Sequence, residues 1–133
     1  MSWDIFLFNP LHEIKSVEEL EADLSSKPLG SRSALIAKIK DIVPTADFSD
    51  PSWGVITRDG WSIEVNIGED DTCSDLALHV RGNGDEAIEV VTRIVEGLGA
   101  AAFDPQTGRR FVGGPTAVAS FQMWRTFRDK VRN

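Results

Sequence analysis

WGVITRDGWSIEVNIG, residues 53–68, decides the fold. Two strand-like runs flank Asp59-Gly60, a dipeptide suited to a type I′ hairpin because both central residues of that turn need positive φ. The second arm alternates strictly. Trp61, Ile63, Val65 and Ile67 point one way, and Ser62, Glu64 and Asn66 point the other. The next stretch, SDLALHVRG at 74–82, repeats the pattern, with Leu76, Leu78 and Val80 set against Ala77, His79 and Arg81. Three antiparallel strands with one apolar face each make a sheet that helices must cover.

The helices are readable on either side of this core. Ser31 can cap a helix in which Leu35, Ile36, Ile39 and Ile42 recur at helical spacing, and Pro44 stops it. Residues 85–98 carry a stripe of Ala87, Ile88, Val91, Ile94, Val95 and Leu98, with Gly97 and Gly99 marking its end. Ser16 and Glu19 form a capping box for a short helix over 16–25. Ala117, Phe121, Trp124, Phe127 and Val131 form the stripe of a last helix over 116–131. The first strand, in MSWDIFLFNP, is apolar on both faces: Trp3, Ile5 and Leu7 on one, Phe6 and Phe8 on the other. That pattern predicts a central strand, and the last helix is the candidate cover for its second face. The fold expected is α+β: a mainly antiparallel sheet of four to six strands with helices packed on one face and a C-terminal helix, in one domain spanning 1–133.

Composition narrows the function. With 41% hydrophobic and 26% charged residues the chain is an ordinary globular one, and 133 residues suffice for a core without metal or disulfide staples. The single cysteine, Cys73, excludes an internal disulfide and a Cys-rich zinc framework, which points to a reducing cytoplasm. Asp4, the lack of a basic segment and the short apolar run make the N-terminus a strand rather than a signal peptide. No apolar run reaches the roughly 18 residues of a membrane span.

Charge is unevenly spread. Residues 1–108 hold 20 acids and 8 bases, a net −12, whereas residues 109–133 hold one acid and six bases, a net +5. An acidic body disfavours nucleic acid, which is bound by releasing counterions from Lys and Arg contacts, and favours steering toward a basic protein. The basic tail reads as a helix docked on its own domain. Exposed aromatics there would instead mark a partner groove or the face of a homo-oligomer.

Two residue sets could carry function. Glu64, His79 and Arg81 share the polar face of the expected sheet with Asn66, and a carboxylate, an imidazole and a guanidinium together could bind a small acidic molecule or move protons. A solvated sheet face with a cross-strand ion pair is the plainer reading. The loop GEDDTCSD, 68–75, gathers Glu69, Asp70, Asp71 and Asp75, and is the expected contact for a basic partner. Its spacing does not match a calcium loop. Cys73 would need a nearby base to act as a nucleophile, and only His12 and His79 are candidates. FDPQTGRRF, 103–111, places Asp104 before Pro105 and Gly108, which is hairpin-turn chemistry rather than a catalytic loop, since no histidine lies near Asp104 in sequence. RGNGD at 81–85 is what an ordinary strand-to-helix turn requires, although its amides could receive a phosphate. Nucleotide, dinucleotide and metalloprotease motifs are absent, no cofactor or metal is expected, and the balance is against an enzyme.

MSWDIF, DFSDPSWG, SIEVNIG, LHVRG and FDPQTG together resemble a family of small uncharacterised bacterial proteins, over most of residues 1–110. The resemblance implies a compact bacterial α/β domain and assigns no catalytic residue. In general character, though not in motif, the chain is also similar to immunity proteins of bacterial toxin systems.

Overall fold

The structure is a computed structural model that describes residues 3–8, 28–82, 85–104 and 109–110. The expected helices over 16–25 and 116–131 lie outside the described residues. The strands are β1 (Trp3–Phe8), β2 (Gly30–Ser31), β3 (Asp47–Asp50), β4 (Trp53–Arg58), β5 (Trp61–Asn66), β6 (Thr72–Cys73), β7 (Asp75–Gly82), β8 (Ala101–Asp104) and β9 (Arg109–Arg110); the helices are α1 (Arg32–Ile42) and α2 (Glu86–Gly97). The main sheet runs β3-β4-β5-β7-β1-β8-β9, all antiparallel: six strands of four residues or more, with the two-residue β9 added at one edge. β2 and β6 form a separate two-stranded ladder. The α+β architecture is therefore as expected. β1 lies between β7 and β8, the central place its two apolar faces call for.

One face of the sheet carries the core. Trp3, Ile5 and Leu7 of β1, Leu76, Leu78 and Val80 of β7, Trp61, Ile63 and Val65 of β5, and Ile56 of β4 are buried against Leu35 and Ile39 of α1 and Ala87, Ile88, Val91 and Ile94 of α2. Each fully buried aliphatic side chain contributes about 1.5–3 kcal/mol by leaving water, so this face dominates stability. Ile36 and Ile42 are only partly buried at its margin.

α1 begins, and α2 ends, by chemistry the sequence carries. Ser31 caps α1, its Oγ accepting from the Ala34 N–H at 3.3 Å. Beyond α2, Gly99 takes φ +61°, its N–H bonding the Glu96 carbonyl at 3.0 Å while the Ala100 N–H reaches Val95 O at 3.1 Å. These paired bonds are a Schellman ending, which a residue in the left-handed region makes possible. Glu86 and Glu89 in the first turn of α2 complement the positive end of its dipole.

The β4–β5 hairpin has the expected two-residue connection, with Arg58 opposite Trp61. Its turn is not type I′. No residue other than glycine has positive φ among the described residues, and of the two central residues Gly60 alone carries it, at +87°. Positive φ at only the second central position is the type II pattern. The neighbouring strand supplies a reason: β7 ends at Gly82, opposite Trp61, with φ +102°, and a Cβ there would collide with the Gly60 carbonyl. The turn is packed against a third strand and does not stand as an isolated hairpin.

β3 pairs with β4 and forms the sheet edge beyond it. Its sequence, DFSD, is too short and too polar for periodicity to reveal. It is held by two turns of one kind. Asp47 Oδ1 accepts from the Ser49 N–H at 2.8 Å and its Oγ at 2.6 Å, and Asp50 Oδ1 accepts from the Ser52 N–H at 3.0 Å and its Oγ at 2.7 Å. These serine bonds hold both carboxyls below the usual carboxylate range. A short, charged, irregular edge strand is a poor template for a stray strand.

Candidate functional site

Helices cover one face of the sheet, and Glu64, His79 and Arg81 lie on the other. Register places residues in cross-strand rows there. Val55, Glu64, His79 and Asp4 make one row across β4, β5, β7 and β1. Trp53, Asn66, Ala77 and Phe6 make the next. Asp75 and Phe8 follow, toward the end of the sheet where the β5–β7 loop leaves it.

The structure thus brings Glu64, His79 and Arg81 onto one face, and adds two residues the sequence did not single out. Asp4 Oδ1 lies 2.7 Å from Nδ1 of His79. With an ionised carboxylate, which only accepts, Nδ1 carries the proton in this contact. Trp53 reaches across β5 to stack on the same imidazole, with ring centroids 5.8 Å apart and planes 18° from parallel. Beside them Arg81 Nε meets Glu64 Oε1 at 3.3 Å. That pair is half-exposed, so it contributes about 0.2–1 kcal/mol and chiefly sets where the two side chains point.

The face changes character along its rows. Phe8, Ala101 and Phe103 are buried, with Phe6 partly buried against them, as a small second cluster around β1 and β8. Toward β4 the face opens. Trp53, 38% exposed, is the large hydrophobic side chain left out among the described residues, while the other arm's Trp61 is buried in the core. Alternation separates the two: Trp53 shares its side with Val55 and Thr57, opposite the buried Ile56.

The acidic loop is fastened. Arg32, at the start of α1, donates through Nη1 to the Glu69 carbonyl at 3.1 Å and the Gly68 carbonyl at 3.4 Å, and Nη2 lies 4.0 Å from Asp71 Oδ1. Its own N–H bonds Asp71 O at 2.8 Å, and Leu29 N–H bonds Cys73 O at 2.7 Å. The main chain is held while the side chains of Glu69, Asp70 and Asp71 remain exposed. Asp75 differs from them. It is half-buried at the start of β7, and desolvation raises its carboxyl pKa. The loop's other anchor is the β3–β4 turn, where the N–H groups of Ile67 and Gly68 bond Ser52 O at 3.1 and 3.2 Å. Asp50, directly opposite Trp53, therefore stands beside this loop.

Cys73 is buried, donating to Asp75 O at 2.8 Å and lying 3.5 Å from Ile67 O. Burial, reinforced by the Asp75 charge, pushes its thiol up to about 11, so it is a thiol at neutral pH and not a nucleophile. Its folded value lies above its ordinary value of 9.0. Stability from this site is therefore complete below 9.0 and falls as pH rises through about 11. We expect iodoacetamide to label Cys73 slowly at neutral pH in the native protein and fully in denaturant, as mass spectrometry would show. A Cys73→Ser variant should lose the alkaline part of the stability profile.

Asp104 is the buried charged residue among those described, 2% exposed at the end of β8 and engaged in interactions there. It stands opposite Arg109 in the antiparallel β8–β9 ladder, and the expected turn at 105–108 lies outside the described residues. The RGNGD turn is described only at Arg81, Gly82 and Asp85. Among the described residues no three His, Cys, Asp or Glu side chains are grouped to hold a metal ion, and no helix is long and apolar enough to cross a membrane.

Fold and face together define an α+β protein with a helix-covered core and, among the described residues, a charged second sheet face on which Trp53 is exposed. Compared with protein families, curated proteins and solved structures, the chain matches none.

Proposed function

We propose that this protein is a non-enzymatic binding module for a basic protein, of the immunity-like kind, acting in a reducing cytoplasm. The observation that carries the reading is Trp53: the large hydrophobic side chain left exposed among the described residues lies beside the acidic end of the sheet. Interfaces draw their energy from a few aromatic anchors, and complementary charge around the anchor sets partner choice and association rate. Asp50, Glu69, Asp70, Asp71 and Asp75 supply that charge. Arg32 holds the loop's main chain, so little ordering entropy remains to be lost on binding.

The test is a tagged pull-down from host lysate at low salt, using wild type and a variant with Glu69→Gln, Asp70→Asn and Asp71→Asn. One basic protein should be recovered stoichiometrically by wild type, shed by high salt, and lost by the neutralised variant. Recovery that ignores both salt and the substitutions would refute the reading.

One observation favours a second reading, a small-molecule binder or enzyme using Glu64, His79 and Arg81. The 2.7 Å contact of Asp4 with Nδ1 fixes the tautomer and orientation of His79, as a proton-transferring imidazole requires. Against it, Arg81 is already paired with Glu64, so the cation an acidic ligand would need is partly neutralised.

A further inference from the structure

We propose that the sheet face around Trp53 seats an arginine side chain of its partner on the indole of Trp53, with Asp50 receiving the guanidinium; this rests on the protein-binding reading above and specifies its central contact. Trp53 combines exposure with a fixed position. His79 stacks on it, and Asp4 holds His79 in turn, so the ring is set before a partner arrives. The face of an indole is the electron-rich side of its quadrupole and attracts cations.

The surroundings select the ligand's charge. Asp50 stands opposite Trp53 across the β3–β4 ladder; Glu64, in the adjoining row on β5, is already paired with Arg81, which leaves Asp50 as the carboxylate for an incoming guanidinium. Among the described side chains, the bases near Trp53 on this face are already engaged, Arg81 with Glu64 and His79 with Asp4. Among those side chains, an anion beside Trp53 would meet Asp50 without a free cation to receive it. The serine bonds to Asp50 fall on Oδ1, which leaves Oδ2 as the oxygen that would accept from a guanidinium.

Geometry also distinguishes arginine from lysine. A guanidinium is planar and weakly hydrated, and it can lie on an aromatic ring while its edge donates to a carboxylate. An ammonium is compact and strongly hydrated, so it gives up more solvation to sit on the ring and offers no planar surface to stack there. The surface therefore selects a basic partner that presents an arginine, and general positive charge is not enough.

The probe is a blocked hexa-arginine peptide, titrated calorimetrically at low and physiological salt beside hexalysine and hexaglutamate. Wild type should bind hexa-arginine more tightly than hexalysine and should not bind hexaglutamate. Trp53→Leu, which keeps an apolar side chain but removes the ring, should weaken hexa-arginine about tenfold and leave hexalysine nearly unchanged. Asp50→Asn provides a second variant away from the stack and should weaken hexa-arginine as well. The triple substitution of Glu69, Asp70 and Asp71 should weaken both cationic peptides alike. Failure of wild type to bind hexa-arginine, equal affinity for hexalysine, or a Trp53→Leu variant that binds hexa-arginine like wild type would overturn the proposal. If wild type still captures a salt-sensitive basic protein in those cases, the protein-binding reading stands without the arginine. If wild type captures no basic protein, that reading falls with it.

Discussion

Replacing Gly82 with alanine should destabilise the protein by about 3 kcal/mol or more, or prevent folding. Two costs coincide at this position. Gly82 has φ +102°, where an L residue is strained, and its Cβ would collide with the Gly60 carbonyl and come within 2.6 Å of Trp61 Cα. Both are backbone atoms of the adjoining hairpin, so no side chain can swing aside. Gly60→Ala is the control. Gly60 also has positive φ, +87°, but nothing lies within 4 Å of its added Cβ, so it carries strain alone, about 1–2 kcal/mol. Urea unfolding of the two variants should separate them clearly. Equal midpoints would mean that the hairpin is not packed against β7 as described.

Trp53→Ala should weaken capture of the basic partner about 30-fold or more, with a loss of stability of about 1–2 kcal/mol from the stack on His79. The contrast is Trp61→Ala on the other arm of the same hairpin. Trp61 is buried in the core, and truncation there should cost about 3–5 kcal/mol. Calorimetry against the recovered partner, together with thermal unfolding of both variants, measures the two effects separately. A Trp53→Ala variant that binds like wild type would remove the anchor on which the binding reading depends. One that unfolds like Trp61→Ala would show that Trp53 is a packing residue.

Much of the sheet was legible. The alternation in β5 and β7 placed Trp61, Ile63, Val65, Leu76, Leu78 and Val80 on the buried face and Glu64, His79 and Arg81 on the other, because the strand period of two admits one solution once a face is apolar. Ser31, Pro44 and Gly99 bounded helices that lie where their signals put them. β3 gave no such signal. It is held by aspartate–serine turns, and its four residues alternate nothing. The hairpin turn departs from the type I′ form that Asp59-Gly60 favours in isolation, and β7 packs Gly82 against it.

The site divides in the same way. By itself the sequence determined which residues are polar on which strand, that residues 68–75 are acidic, and that β1 is apolar on both faces. Those properties are local, set by side-chain chemistry and backbone period. Only the tertiary structure decided that β1 inserts beside β7, and strand order is not encoded in any strand's own pattern. That insertion brings Asp4 to His79 across 75 positions of sequence. The side Trp53 takes is legible in β4, whose alternation puts it with Val55 and Thr57, opposite the buried Ile56. Its stacking on His79 is not, because it depends on β5 lying between the two strands with Glu64 opposite both Val55 and His79. Pairing across a sheet is settled by burying all the apolar faces together, and that is a property of the whole chain.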